Sequence, residues 1–387
     1  MEEISPPSNR KRVALLVETS LSSGREILRG IARHARETDR WLLSHAAGGL
    51  MDQAPEWFRT WEGDGVIARI QSPDLASVLR EIEVPVIDVL GVVEEAPFPL
   101  VHVDDQLIAE EAARHFAERD FRHFGFFGIA GENWSERRRD GFCGACSGPV
   151  SVLELPREAE VHLESPDDRL RSWLRSLPKP VGVLVASDQR GLVLLEACRA
   201  EGLAVPEQVA VVGVDNDLPL CEISSPPLSS LRAGHFRVGY EAARLLGAMM
   251  EGRTVSADEA LYIPPTEVVI RGSSDTLAID DPAVAQGVRF LREHLAEPVT
   301  NDVVSRAVGL SRTLFQQRFR AAMGQTVREY LTTLRLRRAR SLIETSDLTL
   351  ADIAQRCGFK HQEYLGDVFR KHFGITPGRL RKTTKEG

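Results

Sequence analysis

Residues 350–374 read LADIAQRCGFKHQEYLGDVFRKHFG. Thr349 precedes them as a helix N-cap, with Asp352 three residues on, close to a capping box. Leu350, Ile353, Ala354 and Cys357 share one helical face, Gly358 makes a turn, and a second helix follows with Leu365 and Phe369 at core spacing. A small residue and a glycine let two helices pack at a sharp angle, so that the second can enter a DNA major groove. One such pattern is a weak signal, because short helical hairpins are common. Here it occurs twice.

Fifty residues earlier, TNDVVSRAVGL (300–310) places Val303, Val304, Ala307 and Val308 on one face and ends at Gly309. SRTLFQQRFRAAMG (311–324) follows with Leu314, Phe315 and Phe319 as its apolar side. REYLTTLRLRRARSLIE (328–344) joins the two units as one long basic helix, with Leu331, Leu334, Ala339, Leu342 and Ile343 at core spacing. The outward residues of the two second helices are Arg312, Thr313, Gln316 and Gln317, then His361, Gln362, Glu363 and Asp367. These types donate to and accept from base edges. Arg318, Arg320, Arg370 and Lys371 supply charge for phosphates.

The charge distribution agrees. Residues 283–387 hold 19 Lys and Arg against 10 Asp and Glu, a surplus of 9. The whole chain of 387 residues carries −8, which leaves −17 on the first 282. A basic terminal third behind an acidic two-thirds implies that one part meets a polyanion and the other does not. The length predicts more than one domain. No apolar run is long enough to span a membrane. The start, MEEISPPSNRKR, has no apolar signal core, so a cytoplasmic protein with a disordered stretch over residues 1–11 is expected. Five cysteines fit reduced thiols.

The acidic part has a different period. VALLVET (13–19), DGVIARI (64–70), VPVIDVL (84–90), LVHVD (100–104), HFGFFGIA (123–130), VGVLVAS (181–187) and VAVVGVD (209–215) are mostly apolar throughout, as strands buried on both faces require. Helical patterns lie between them, for example at 24–37, 106–120, 190–202 and 239–252. Alternation of this kind predicts an α/β architecture with right-handed crossovers, here in two lobes.

Ligands of open α/β sheets bind beyond the carboxyl ends of the strands. The polar residues expected there include Arg25 after the first strand, Trp134 and Arg137 to Arg139 after strand 123–130, Asp188 after 181–187 and Asp215 after 209–215. Carboxylates, guanidinium groups and an indole suit a small polyhydroxylated ligand. Each has another reading: Asp188 suits a helix N-cap, Trp134 suits a core, and three consecutive arginines cannot all point inward. Asp215 has no obvious helix to cap.

These segments resemble the sugar-sensing domain of LacI-type repressors, itself similar to periplasmic sugar-binding proteins. VAVVGVDND (209–217) resembles that family's VxGxDD strand, WSERRRDGF (134–142) its RxxGF helix start, and YIPPTEVVIRGSS (262–274) its tail. The resemblance implies Arg138, rather than its neighbours, as the sugar-contacting arginine. IAQRCGFKHQEYLGDVFRKHFGITPGRLR (353–381) resembles the AraC-type pattern IAxxxGFxxxxYxxxxFxxxxGxTPxxxR. That family puts base contacts on both recognition helices, at positions matching Thr313, Gln316, Gln317, Gln362, Glu363, Gly366 and Asp367 here. Gly366 inside such a helix, and an acid at Asp367 where basic or neutral residues are usual, depart from the pattern. The combination, with the junction DPAVAQGVRFLREH (281–294), is similar to the xylose-responsive activators of bacteria.

The expected fold is therefore an α/β two-lobed periplasmic-binding-protein-like domain followed by an all-α domain with two helix-turn-helix units. Residues 12–274 would form the sugar sensor, 275–282 a linker and 283–387 the DNA-binding domain. The expected effector residues are Arg25, Trp134, Arg138, Asp188 and Asp215. The expected DNA-binding residues are Arg312, Thr313, Gln316, Gln317, His361, Gln362, Glu363, Arg370 and Lys371. The implied partners are double-stranded DNA, a sugar effector of the D-xylose type and a second copy of the chain, with RNA polymerase as a further candidate; no membrane, metal or cofactor is expected. The competing class is an enzyme or thiol-redox protein with a DNA-binding tail, because Cys143 and Cys146 form CGAC. Helical spacing puts both on one face, where small buried thiols are expected. No second CxxC completes a zinc site, and no P-loop, HExxH or Ser-His-Asp set occurs.

Overall fold

Strands that lack polar alternation can persist only where both faces are covered, and the chain meets that demand with two sheets flanked by helices. The computed structural model describes residues 10–45, 56–93, 97–157, 167–276, 278–279, 281–346 and 348–386. It divides into two compact units, Met1–Thr276 and Leu277–Gly387.

The first unit begins with β1 (Lys11–Leu16), α1 (Ser22–Thr38), β2 (Trp41–His45), β3 (Gly65–Ala68), α2 (Pro73–Arg80), β4 (Val86–Asp88) and β5 (Leu100–Val103). It continues with α3 (Asp105–Ala117), β6 (Phe124–Ile129), α4 (Asn133–Ala145), β7 (Val150–Leu155), α5 (Asp168–Ser176), β8 (Val181–Val185) and α6 (Asp188–Ala200). It ends with β9 (Val209–Val214), α7 (Leu218–Ile223), β10 (Ser229–Leu231), α8 (His235–Met250), β11 (Ala260–Ile263) and β12 (Val268–Val269). One sheet has the order β11-β5-β4-β3-β1-β2 and is parallel throughout. The other has the order β12-β10-β9-β8-β6-β7, parallel except for β12 against β10. Every residue of β6, β8 and β9 is buried.

The chain passes between the sheets three times, after β5, after β10 and after β11. The crossings are tied to one another: Asp104 N–H donates to the Ile263 carbonyl at 2.8 Å, Arg232 N–H to Glu267 at 3.0 Å and Thr266 N–H to Arg232 at 3.0 Å. The helix after the second crossing, α8, returns to the first lobe and packs along α1. Glycine makes that contact possible. A Cβ on Gly30 would lie 2.0 Å from the Phe236 carbonyl oxygen, and one on Gly239 2.0 Å from that of Ile27.

Strands β2, β7 and β10 escape the pattern of wholly apolar runs for two reasons. β2 and β7 are sheet edges, with Leu42 49% exposed and a polar alternation in β7. β10 begins with two serines, both fully buried, whose hydroxyls bond within the fold.

The second unit contains α9 (Pro282–Glu293), α10 (Asn301–Ala307), α11 (Arg312–Met323), α12 (Val327–Thr345), α13 (Leu350–Arg356), α14 (Gln362–Phe373) and α15 (Pro377–Glu386). The division between the two units falls within the expected linker, residues 275–282. β1 already opens at Lys11, and residues 1–9 lie outside the described residues. The expected linker is short: Ile279 is buried in the core of the second unit and the Asp281 carboxylate caps α9. Val303 and Ala307 of α10 are exposed, while Val304 is buried.

Gly239→Ala should destabilise the full chain by about 3 kcal/mol, the upper end for overpacking, because backbone rather than a flexible side chain meets the new methyl. Thermal unfolding reads this directly, and an unchanged melting temperature would refute the close helix crossing.

Candidate functional site

The strands of both sheets end at a cavity of about 300 Å³, lined from both lobes. Arg69, after β3, and His102, in β5, come from the first lobe. Trp134 and Arg138 of α4, and Asp215 after β9, come from the second. His235 opens α8 and so faces the cavity from the helix packed on α1.

Arg138 is 3% exposed. Its Nε donates to Asp105 Oδ1 at 2.9 Å, one Nη donates to the Ala186 carbonyl at 2.5 Å, and the guanidinium lies 4.9 Å from the Trp134 ring centre. Burial by itself would raise the Asp105 carboxyl. Arg138, His102 and Arg137 outweigh it and hold the group far below the usual carboxylate range. Of the three consecutive arginines, Arg138 lines the cavity, Arg137 bonds the other oxygen of Asp105, and Arg139 pairs with Asp140 and Glu154.

Asp215 and Asn216 take φ values of +102° and +55°, a left-handed pair that costs energy in non-glycine residues and is held by its surroundings. His235 Nε2 lies 2.8 Å from Asp215 Oδ1, a contact between the two lobes. Burial raises the Asp215 carboxyl, and His235, Arg138 and Arg69 together bring it below its ordinary value. Trp134 is oriented by its own neighbour: the indole Nε1 donates to Glu132 Oε2 at 3.0 Å, and Arg157 donates to Glu132 Oε1. Arg69 is paired with buried Glu18 and donates to Ser23 Oγ at 3.1 Å.

Trp134, Arg138 and Asp215 thus meet at one cavity, and Arg25 and Asp188 do not line it. Arg25 is 44% exposed, donates to the Thr19 and Ser20 carbonyls and closes the β1–α1 loop. Asp188 is fully buried beneath the site, where it accepts from Asp217 N–H and the Ser230 hydroxyl. It is not the helix cap either, since the Ser187 side chain takes that role. Burial, then the charge of Asp215, push Asp188 up to about 8.

Arg69, His102, Glu132, Arg157 and His235 are missing from the expected set. The same strand-end rule, applied to DGVIARI (64–70), would have reached Arg69. Nothing local marks His235, whose helix arrives from the other lobe. The expectation of buried thiols fails for the CGAC pair: Cys143 is exposed and Cys146 partly so. Burial still raises both, Cys146 to about 12, so they stay protonated at neutral pH. Among the described residues no group of three His, Cys, Asp or Glu side chains is placed to hold a metal, and no helix is long and apolar enough to cross a membrane.

In the second unit, α10 and α11 turn at Gly309 (φ +69°), and α13 and α14 at Gly358 (φ +74°). Phe315, Phe319, Leu365 and Phe369 point into the two cores. Arg312, Thr313, Gln316 and Gln317 stand exposed on α11, as do Gln362, Glu363, Arg370 and Lys371 on α14. His361 is exposed too, but as the extended N-cap residue rather than within the helix.

Residues 113–274 match the family of periplasmic binding protein-like domains, and residues 304–383 match a helix-turn-helix domain family. The xylose operon regulatory protein of Haemophilus influenzae is 31% identical over 328 residues, covering 82% of this chain and 84% of that protein. The chain belongs to the xylose operon regulator family. The regulator of that name from Escherichia coli strain K12 is 29% identical over 98% of this chain and 99% of its own length. The solved structure of a xylose-binding transcription activator shares the fold with a TM-score of 0.81, at 26% identity over 97% of this chain and 99% of that one. As a member of the family, the chain is a sugar-responsive, DNA-binding transcription regulator of AraC type and not an enzyme.

Asp188 gives this regulator a pH-dependent term. Its folded-state value near 8 stands above the ordinary 3.8, so the folded chain keeps a proton that the unfolded chain gives up between those values. Asp188 therefore lowers stability progressively as pH rises from about 4 to 8. Asp188→Asn removes the titration. Its melting temperature relative to the wild type should rise from pH 5 to pH 8, and a difference independent of pH would show that the group is not protonated in the fold.

Proposed function

We propose that the cavity binds free xylose and that the bound sugar favours a closed arrangement of the two lobes. The observation that carries this reading is the facing of Arg69, His102 and His235 from the first lobe against Trp134, Arg138 and Asp215 from the second around one cavity of about 300 Å³. A pentose fits that space and presents hydroxyls on its rim and C–H faces above and below. Trp134 would stack on a C–H face, and Arg138 and Asp215 would take hydroxyls. Xylose itself is carried over from the names of the relatives.

The ligand can shift the equilibrium between open and closed forms only by its difference in affinity for the two. Groups contributed by both lobes supply such a difference. In a homodimer, closure would re-aim the C-terminal units, residues 283–387, on two adjacent DNA half-sites. Arg312, Thr313, Gln316, Gln317, His361, Gln362 and Glu363 would face bases, Arg370 and Lys371 would face phosphates, and RNA polymerase would be the further partner of an activator in the cytoplasm.

Thermal unfolding of the full chain against pentoses and hexoses tests the effector, because a ligand of the native state raises the melting temperature by mass action. Xylose should raise it, and Asp215→Ala should abolish the rise while leaving sugar-free DNA binding intact. No shift with any sugar refutes the effector reading; loss of DNA binding in the variant would assign Asp215 to folding instead.

A further inference from the structure

The two recognition helices share a register and differ in chemistry. Phe315 and Phe319 of α11 are buried, as are Leu365 and Phe369 of α14. Aligning these pairs sets Thr313 beside Glu363, Gln316 beside Gly366 and Gln317 beside Asp367. On α11 the exposed face offers a guanidinium and two amides. On α14 the equivalent face offers two carboxylates, one turn apart, with a glycine between them.

Gly366 lies inside α14, not at an end or a turn. A glycine there destabilises the helix relative to alanine. At the turn before this helix glycine has an internal reason: Gly358 takes φ +74° and a Cβ on it would lie 2.7 Å from the Leu295 carbonyl oxygen. Gly366 has none, because its φ is not positive and a Cβ on it would meet nothing within 4 Å. Asp367 is exposed and has no ion pair or hydrogen bond among the described residues, although Arg370 and Lys371 follow within one turn. Glu363 is exposed, and among the described residues its one hydrogen bond is from the Gln362 amide, at 3.4 Å.

Carboxylates are repelled by phosphates. In a major groove their favourable partners are the exocyclic amines of cytosine and adenine. We propose that α14 enters the major groove with the bare backbone at Gly366 against the base edges, and that Glu363 and Asp367 accept from base amines on either side of it. α11, with Arg312, Gln316 and Gln317, reads purine acceptors instead. One chain therefore reads two half-elements of different sequence. This rests on the assignment of the two helices as the DNA interface.

The test is selection by the full-length chain from a duplex DNA library with a randomised core, with xylose present, followed by affinity measurements on the selected duplex. The wild type should enrich a bipartite motif. Glu363→Ala and Asp367→Ala should each relax one position in the same half by about tenfold, the size of one base contact. The base lost identifies cytosine or adenine as the source of the amine. Arg312→Ala should alter only the other half. Gly366→Ala should move two readouts in opposite directions, with a higher melting temperature and a weaker affinity for the selected duplex. A higher melting temperature with unchanged affinity overturns the close approach. A motif unchanged by both acidic variants overturns the amine contacts. Enrichment of no motif by the wild type would overturn the DNA-interface assignment itself.

Discussion

The Asp105 carboxylate is buried at the start of α3, where the chain first enters the second lobe, and two guanidinium groups and an imidazole converge on it. Arg138 and Arg137 each bond one of its oxygens, and His102 lies 3.5 Å away. The arrangement sets the position of the Arg138 guanidinium, which in turn lies against Trp134 and bonds the end of β8 through the Ala186 carbonyl. Removing one partner from such a buried pair leaves an uncompensated charge and typically costs 3–5 kcal/mol. The cavity thus depends on a residue that does not itself line it.

The same logic runs around the cavity. Arg69 has Glu18, Arg138 has Asp105, Arg157 has Glu132, and His235 has Asp215. Each of the guanidinium groups Arg69, Arg138 and Arg157 is paired with a carboxylate, which offsets its charge while leaving the lining rich in donors and acceptors. That balance suits an uncharged polyol, which needs directional hydrogen bonds but no counterion. The pair formed by His235 and Asp215 has a further property, because its members come from different lobes and its geometry depends on how the lobes stand.

The DNA-binding unit is organised by α12 rather than by either helix-turn-helix. The first half of α12 contributes Leu331 and Leu334 to one core and the second half contributes Leu336, Ala339 and Ile343 to the other. Arg335, between them, donates to the Leu295 and Glu297 carbonyls beyond α9 and lies against the Gly358 turn. A full capping box at Thr326 and Glu329 starts the helix. Two helix-turn-helix units carried on one helix keep a fixed relation, as the proposed reading of two neighbouring elements of one duplex requires.

Local features were legible in the sequence. Helix–glycine–helix units, N-caps such as Thr349 and strands buried on both faces follow from residue type and period, which act over a few neighbours. So do Trp134 and Asp215, because a strand's carboxyl end is itself a local landmark, whereas Arg138 was distinguished from its neighbours by the family resemblance alone. The tertiary structure decided which of those landmarks share a cavity. It placed Arg25 in a loop closure and Asp188 beneath the site, exposed Cys143, and brought His235 to Asp215 from a helix that returns from the other lobe. These outcomes turn on the packing of elements far apart in the chain, which no window of neighbouring residues encodes.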